Sequence, residues 1–370
     1  MRAASDLEGA ELIEKMVAVP QAVWIEKGTP RDVRDEVKDV IKDAKRQRAL
    51  PVFVAYNIPG RDCANLSAGG ALTTAEYKAW IDGFANAIGG HRAIVIVEPD
   101  GLGLLPSNCP ALPDYPFTDA QRYEELNYAV DRLGARPGVS VYLDGTHSAW
   151  LSVREAANRL LRAGVERASG FFVNVSNHQF TLNLAQYGTW ISQCIALGAS
   201  AECPDQYWNG GPEGTMIADL LGPWTGVALS RYGVWSEDAS DPSLNTSGIN
   251  RRYADMLGTL EPTTHFVIDS SRNGLGPWEP PAGVYSDPQD WCNPPGRGLG
   301  DRPTLLTGVP LLDALLWVKT PGESDGTCTR GSAPGSVDPE WGIVDPPAGQ
   351  WFPEQALELS SLAEPALAMR

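Results

Sequence analysis

The sequence predicts an α/β fold in which short parallel strands alternate with helices and close into a barrel. Short, nearly continuous apolar runs rich in Val, Ile and Phe are typical of strands buried on both faces. Longer stretches with helical periodicity separate these runs, and polar side chains follow the runs at their carboxyl ends. Barrel enzymes build their active sites on that rim, whereas an open doubly wound sheet gathers its ligand groups at one switch point. The distribution of polar side chains therefore favours a barrel.

Seven apolar runs are the strand candidates. In chain order they cover residues 22–25, 52–56, 93–98, 139–144, 170–176, 265–269 and 314–319. Helical patterns lie between them at residues 31–48, 74–89, 119–133, 152–163 and 249–260. Thr73 and Thr74 precede Glu76, which is typical of a capped helix start. No Gly-rich phosphate loop opens any of these helices, which again favours a barrel over an open sheet.

The chain of 370 residues is interpreted as a single domain, because α/β barrels often reach this size as one unit. No Ser/Thr/Pro-rich linker, low-complexity tract or repeat marks a boundary. Long loops are expected at residues 103–118, 198–248, 274–308 and 320–349. Loops of this length are usually functional.

The charge balance argues against a polyanionic partner. Lys and Arg total 29 against 46 for Asp and Glu, which gives a formal net charge of −17. Nucleic acid would be repelled, and no basic stripe offsets this charge locally. The longest basic run, residues 42–48, is interpreted as a solvated helix face. No apolar run is long enough to span a membrane.

Six cysteines and only four histidines are present. None of the cysteines forms a C-x-x-C pair, so no metal or cofactor is expected. An even count beside expected loops predicts disulfides and an oxidising compartment, with the pairing left open. Residues 1–16 lack the apolar core of a signal peptide, and the expectation is a secreted, extracellular protein whose leader has been removed.

Four acidic clusters each follow a predicted strand and should converge on one rim. They are Arg61-Asp62, Glu98-Pro99-Asp100, Asp144 to Trp150, and Lys319 to Asp325. Acetal hydrolysis needs an acid for the leaving oxygen and a nucleophile or base, and two carboxylates serve if their pKa values are pushed apart. Desolvation and a charged Asp62 would raise the pKa of Asp100 and keep it protonated. The alternative is that either aspartate merely caps a helix or turn.

Tryptophans are frequent in the expected loops. They are Trp208, Trp224, Trp235, Trp278, Trp291 and Trp341. Each either packs within its loop or offers a flat apolar face to a pyranose ring. A Ser-His-Asp hydrolase is disfavoured because no G-x-S-x-G motif follows any strand. His147 is therefore interpreted as a ligand for a sugar hydroxyl or as a hydrogen-bonded structural residue.

Five segments, in order between Trp24 and Phe352, resemble glycoside hydrolase family 6, the family of inverting cellulases. They are Arg61-Asp62-Cys63, Glu98-Pro99-Asp100, Tyr142-Leu143-Asp144 with His147 and Trp150, Asp290-Trp291-Cys292-Asn293, and Lys319 through Gly326. The resemblance implies a distorted, TIM-like (β/α) barrel of about seven mostly parallel strands. It also implies one catalytic domain over residues 1–370, with no carbohydrate-binding module in this chain.

The resemblance further implies catalytic roles. Asp100 is the general acid, Asp62 tunes it and helps to order water, and Asp325 is the base, with a water relay as the alternative. Tyr56 presses on the distorted sugar at the cleavage site. The implied substrate-binding residues are Trp24 and Trp291 on the non-reducing side, Trp150 on the leaving-group side, and Ser67, Asp144, His147, Lys319 and Glu323. The implied disulfides are Cys63–Cys109, Cys292–Cys328 and an additional loop staple, Cys194–Cys203.

The expected activity is inverting endo-hydrolysis of cellulose, soluble β-1,4-glucan and cello-oligosaccharides by a monomer. Residues 271–274, 321–326 and 349–353 look like the endoglucanase branch. A cellobiohydrolase is the alternative, because insertions at 198–248 and 320–349 could cover the groove. A non-catalytic β-glucan-binding protein is the alternative of another class. Such a protein is expected to lack an acid or base carboxylate, whereas Asp62, Asp100 and Asp325 are all present.

Overall fold

The computed structural model describes residues 7–109, 116–208 and 226–367. Seven parallel strands form one sheet in chain order, which confirms the predicted α/β fold. The strands are β1 Val23–Ile25, β2 Val52–Ala55, β3 Ala93–Val97, β4 Val139–Asp144, β5 Gly170–Val173, β6 His265–Asp269 and β7 Leu312–Leu316. The helices are α1 Leu7–Val17, α2 Pro30–Gln47, α3 Thr74–Ile88, α4 Asp119–Gly134, α5 Val153–Arg162, α6 Thr181–Ala196, α7 Ser247–Leu257 and α8 Pro353–Ser361. None of these described helices is long and apolar enough to cross a membrane.

The sheet curls into a partly open barrel. Within the described chain, each strand pairs with the next, and no ladder joins β1 to β7. Two hydrogen bonds cross this seam instead. The Ala22 N–H donates to the Trp317 carbonyl at 2.9 Å, and the Trp24 indole N–H donates to the Val318 carbonyl at 2.8 Å. Strand β1 and the residue before it are therefore held to the residues just beyond the carboxyl end of β7.

Alternate residues of each strand face two separate apolar layers. Phe53, Val95 and Phe171 pack against the surrounding helices, whereas Val54 and Ile96 pack inside the barrel. Successive strand side chains point to opposite faces, and here both faces are buried. Because both faces are buried, the strands appear in the sequence as continuous apolar runs.

Strands β5 and β7 end three residues before their predicted ends, because the backbone turns or its amides bind a side chain instead of a neighbouring strand. Strand β5 ends at Val173 and not at Ser176, since Asn174 and Ser176 adopt φ values of 73° and 59°. Strand β7 ends at Leu316 and not at Lys319. The amides of Val318 and Lys319 donate to the Asp269 carboxylate rather than to a neighbouring strand.

Helices α1, α6 and α8 were not predicted. Helix α6 is buried on most of its surface and therefore lacks the polar stripe that marks an amphipathic helix. Its N-cap residue, Phe180, offers no capping side chain. In contrast, Thr73 caps α3 as predicted, because its side chain accepts the Glu76 N–H at 3.2 Å.

The six cysteines form three disulfides, Cys63–Cys109, Cys194–Cys203 and Cys292–Cys328. These are the pairs implied by the resemblance. The first links the turn after β2 to the segment after β3, and the third links two of the expected long loops. Both bridges lie close in sequence to acidic residues of the predicted site.

Candidate active site

A cleft of about 1610 Å³ lies at the carboxyl ends of the strands. Eleven of the twelve predicted catalytic and binding residues line it: Trp24, Tyr56, Asp62, Ser67, Asp100, His147, Trp150, Trp291, Lys319, Glu323 and Asp325. Asp144 is the exception, because its carboxylate lies behind the cleft wall. Carboxylates and aromatic rings thus share one concave surface, as expected for a carbohydrate-binding cleft.

Asp100 follows β3 on a strained piece of backbone. Both Glu98 and Asp100 are in the left-handed region, with φ values of 51° and 65°. Such strain in residues other than glycine clusters at functional sites. Burial raises the pKa of the Asp100 carboxyl well above its ordinary value, and the charges of Asp144, Asp62 and Asp325 raise it further. Asp100 is therefore suited to donate a proton.

Asp62 begins a short 3-10 turn in which three consecutive residues have positive φ. The Ser67 N–H donates to the Asp62 carboxylate at 2.6 Å. Burial raises the pKa of Asp62, while this hydrogen bond and the charge of Arg61 oppose the increase. Arg61 holds the turn in place by donating to the carbonyls of Tyr56 at 2.5 Å and Ser67 at 2.9 Å.

Asp325 is buried and ion-paired. Arg272 donates Nη1 to Oδ2 at 3.0 Å and Nη2 to Oδ1 at 2.9 Å. The Asn293 N–H adds a third hydrogen bond to Oδ2 at 3.0 Å. Oδ1 thus accepts one described hydrogen bond and Oδ2 accepts two, and the residue still lines the cleft. The carboxylate oxygens retain lone pairs that can accept a hydrogen bond from a water molecule.

Three further acids at strand ends bind backbone amides. Glu98 accepts N–H groups from Asn57 and Ile58. Asp144 accepts from Leu102 and Gly103 at 3.1 Å. Burial raises the pKa of Glu98 to about 7 and that of Asp144 to about 6.

Asp269 acts in the same way across the far side of the barrel. It accepts N–H groups from Ser176 at 3.2 Å, from Ser271 at 3.0 Å, and from Val318 and Lys319. Each strand-end acid therefore fixes loops that carry cleft residues. The sequence signal for this role is an acidic residue at, or directly after, the end of a buried strand.

An aromatic and cationic surface lies at the β1–β2 edge of the cleft. The Trp24 and Tyr56 rings meet edge to face with centroids 5.2 Å apart. The Lys319 ammonium is 6.0 Å from the Trp24 ring centroid and donates to the Ser324 carbonyl at 3.3 Å. Burial lowers the pKa of Lys319. Flat rings beside hydrogen-bond donors suit the apolar faces and hydroxyl edges of pyranose rings.

His147 and Trp150 form the wall beyond β4. Their ring centroids are 5.7 Å apart, and His147 Nδ1 accepts the Ala149 N–H at 3.2 Å. Burial, with a smaller effect from Arg231, lowers the pKa of His147 to about 3. The imidazole is therefore neutral at neutral pH, and its Nε2–H can donate to a hydroxyl group.

The loop tryptophans divide into two groups. Trp235 stacks on Trp190 with centroids 5.7 Å apart, Trp278 packs under the Arg330 guanidinium, and Trp341 donates to the Asn293 carbonyl at 2.7 Å. These three pack within the protein. Trp291 is 37% exposed and lines the cleft, and Trp208 is also exposed. Trp224 lies outside the described residues.

One group of metal-ligating side chains occurs among the described residues, Cys328 with Asp338 and Asp345. It does not fit a metal ion, because Cys328 is disulfide-bonded and Asp338 is ion-paired with Arg330 at 2.9 Å.

The curled α/β barrel and its carboxylate-lined aromatic cleft define the chain as a protein of the glycoside hydrolase class. The sequence model described as glycosyl hydrolases family 6 matches residues 1–363. The chain belongs to this family.

Named relatives include endoglucanases and cellobiohydrolases. Endoglucanase A of Cellulomonas fimi is 34% identical over 362 residues, which cover 97% of this chain and 58% of that relative. A probable 1,4-β-D-glucan cellobiohydrolase C of Neosartorya fischeri is 28% identical over 94% of this chain and 70% of the relative. The chain thus spans somewhat more than half the length of the endoglucanase.

A solved relative has the same fold. The endoglucanase Cel6 of Mycobacterium tuberculosis, in complex with methyl-cellobiosyl-4-deoxy-4-thio-β-D-cellobioside, is 31% identical with a TM-score of 0.65. The match covers 94% of this chain and 88% of the other.

Proposed function

We propose that this chain hydrolyses β-1,4-glucosidic bonds in cellulose and soluble β-1,4-glucans with inversion at the anomeric carbon. The observation that carries the proposal is that Asp100, whose pKa is raised by burial and neighbouring charges, shares one aromatic cleft with Asp325, which is ion-paired with Arg272. Two carboxyl groups in such different environments can supply the acid and base that inversion requires. The endoglucanase and cellobiohydrolase names of its relatives support a β-1,4-glucan as substrate.

In the proposed reaction, Asp100 protonates the glycosidic oxygen as the bond to the anomeric carbon breaks. A water molecule attacks that carbon from the opposite face, and its proton passes to Asp325, directly or through a second water. Asp62 maintains the protonated form of Asp100 by its negative charge. Tyr56 contacts the distorted sugar. The neighbouring sugar units are contacted by the binding residues that the resemblance implies, apart from Asp144.

The proposed mode of action is endo. Of the described cleft-lining residues, none lies between 326 and 347. Part of that segment packs against the 274–308 segment instead, through Trp341 and Asn293. From the 198–248 segment, Arg231 is the one described residue that lines the cleft, where it ion-pairs with Asp290 at 2.9 Å. Most of the described part of both insertions therefore lies away from the groove.

The first experiment follows the anomeric form of the product by NMR during hydrolysis of cellopentaose. Inversion produces the α-anomer first. Asp100→Asn is expected to lower kcat by a factor on the order of 10²–10⁴, whereas Asp39→Asn, on the exposed face of α2, leaves it unchanged. A non-catalytic binding protein would bind cellopentaose and release no shorter sugars. Retention of configuration, or an active Asp100→Asn variant, contradicts the proposal.

The second experiment compares viscosity loss with the release of reducing ends on carboxymethyl cellulose. An endoglucanase lowers viscosity early, because each internal cut halves long chains. A cellobiohydrolase releases reducing ends with little early loss of viscosity. The same protein is proposed to act as a secreted monomeric single domain, which its three disulfides support.

A further inference from the structure

Asn293 contacts the whole Ser324-Asp325-Gly326 segment. Its side-chain oxygen accepts the Asp325 N–H at 2.8 Å, and its own N–H donates to Asp325 Oδ2 at 3.0 Å. Its Nδ2 group donates to the Ser324 hydroxyl at 2.9 Å and to the Gly326 carbonyl at 3.0 Å. Asn293 is fully buried. The backbone that carries Asp325 is therefore held in part by the orientation of one amide group, while Arg272 holds the carboxylate itself.

The orientation of that amide depends in turn on Asp345. Asn293 Nδ2 donates to Asp345 Oδ2 at 2.8 Å, and on the other side of the amide Gln355 donates to its oxygen at 3.1 Å. A rotated amide would place its oxygen against the carboxyl group of Asp345 and the Gly326 carbonyl. Asp345 thus selects the rotamer in which Asn293 binds Asp325.

Asp345 lies beside a second buried carboxyl group, that of Asp338, with a carboxylate oxygen of each within 4.8 Å of the other. Asp345 and Asp338 are 1% and 0% exposed, and Asp338 is ion-paired with Arg330. Asp345 Oδ1 is buried and accepts no hydrogen bond from another described group. A single proton between the two carboxyl groups satisfies this oxygen and removes the repulsion between two buried charges.

We propose that Asp345 is a positioning residue for the base Asp325, an inference that rests on the proposed function. Asp345 acts through the Asn293 amide and through a proton shared with Asp338. When the proton is present, Asp345 donates to Asp338 and accepts from Asn293. When it is lost, Asp345 and Asp338 repel each other, and this repulsion displaces the Asp345 carboxylate from the position in which it holds the Asn293 amide.

The proton is lost near neutral pH. Burial is the largest cause that raises the pKa of Asp345, to about 7, and the charge of Asp338 adds to it. Arg330 and the Asn293 hydrogen bond oppose the increase. Asp338 and Arg330 are the charged groups that act on Asp345, and the neighbour from the 274–308 segment, Asn293, is neutral.

The test uses β-cellobiosyl fluoride, because fluoride leaves without a proton from Asp100 and the rate then reports the base side of the site. The variants are Asp345→Asn, Asp345→Ala and the control Glu340→Gln, which lies in the same segment and contacts Tyr285. kcat and KM are measured from pH 5 to pH 9. An asparagine at this position can donate to Asp338 and accept from Asn293 at every pH.

For the unaltered protein and Glu340→Gln, kcat is expected to fall as the pH rises through about 7. Asp345→Asn retains its kcat at pH 8, and Asp345→Ala loses kcat on the order of 10- to 100-fold at all pH values with little change in KM. The proposal is overturned if Asp345→Asn shows the same fall as the unaltered protein, or if a folded Asp345→Ala keeps full kcat. Absence of fluoride hydrolysis by the unaltered protein would instead contradict the proposed function.

Discussion

Arg272 and Asp325 form a two-point ion pair in the wall of the cleft, with nitrogen–oxygen distances of 2.9 and 3.0 Å. Their side chains are 0% and 6% exposed. Arg272 also donates to the Ser176 carbonyl at 2.6 Å, so the guanidinium is fixed independently of its partner. A planar fork that meets both carboxylate oxygens fixes orientation as well as charge.

Arg272→Lys is expected to lower kcat on cellopentaose on the order of 10- to 100-fold, because an ammonium group preserves the charge but cannot hold both oxygens. Steady-state kinetics measures the change. Arg297→Lys is the matched control, since Arg297 binds carbonyls of its own region and makes no described contact with Asp325. Equal kcat for both variants would show that the orientation of Asp325 is unimportant.

Asp144→Asn tests whether a residue behind the cleft tunes the acid. The charge of Asp144 is the second cause that raises the pKa of Asp100, after burial. Its removal lowers the pKa of Asp100, so the alkaline limb of the kcat profile on cellopentaose moves to lower pH. Asp313→Asn, which removes a strand aspartate bound to His265 and Tyr142, leaves the limb in place. An unmoved limb in Asp144→Asn contradicts the assignment.

Glu125→Gln is expected to raise stability at alkaline pH. Burial raises the pKa of Glu125 from 4.5 to about 7, so its favourable contribution is present below pH 4.5 and lost as the pH rises through 7. Glutamine avoids this loss and keeps an acceptor for the Thr74 hydroxyl. At pH 8 the free energy of unfolding should rise on the order of 1–3 kcal/mol, with little change at pH 4.

Denaturant unfolding at both pH values measures this difference. Glu124→Gln is the neighbouring control, because Glu124 is exposed and pairs with Lys78 at the surface. A Glu125→Gln variant that is no more stable than the parent at pH 8 would refute the burial argument.

Replacing the cysteines of Cys292–Cys328 by serine should reduce both stability and kcat. The bridge spans 36 residues, and its loss is expected to cost about 4 kcal/mol. It also adjoins Asn293, which holds Asp325 in place. Loss of Cys194–Cys203, which spans 9 residues, should cost about 3 kcal/mol and leave kcat unchanged. Thermal unfolding and cellopentaose kinetics on both double variants separate the two effects, and equal kcat values would argue against a positioning role.

The sequence predicted the strands and the rim of acids well, because burial on both faces leaves a clear apolar pattern. It could not separate Asp100 from Asp144, since each is an acidic residue at or just after a strand end. The two residues differ in their surroundings: the carboxylate of Asp144 accepts three backbone N–H groups, whereas Asp100 has a positive φ and lines the cleft. Residue chemistry made Asp100 one candidate among several, and the resemblance made it the expected acid.

The partners of Asp325 were beyond the reach of sequence patterns. Its partners Arg272 and Asn293, and Asp345 behind Asn293, lie on three stretches of chain that lack regular secondary structure, and their contacts span 32 to 53 residues in sequence. No periodicity links such positions. Helix α6 was not predicted because most of its surface is buried, so no polar face marks its helical period in the sequence.

The sequential strand order also bears on how the chain reaches this structure. Each strand pairs with the one made just before it, so the sheet can grow during synthesis without waiting for a later segment. Helix α1 is different, because its Met16 packs against Leu359 and Ser360 of α8 at the other end of the chain. Helix α1 can therefore complete its packing only after α8 has been made, and chains truncated before α8 would expose the apolar face of α1 to aggregation.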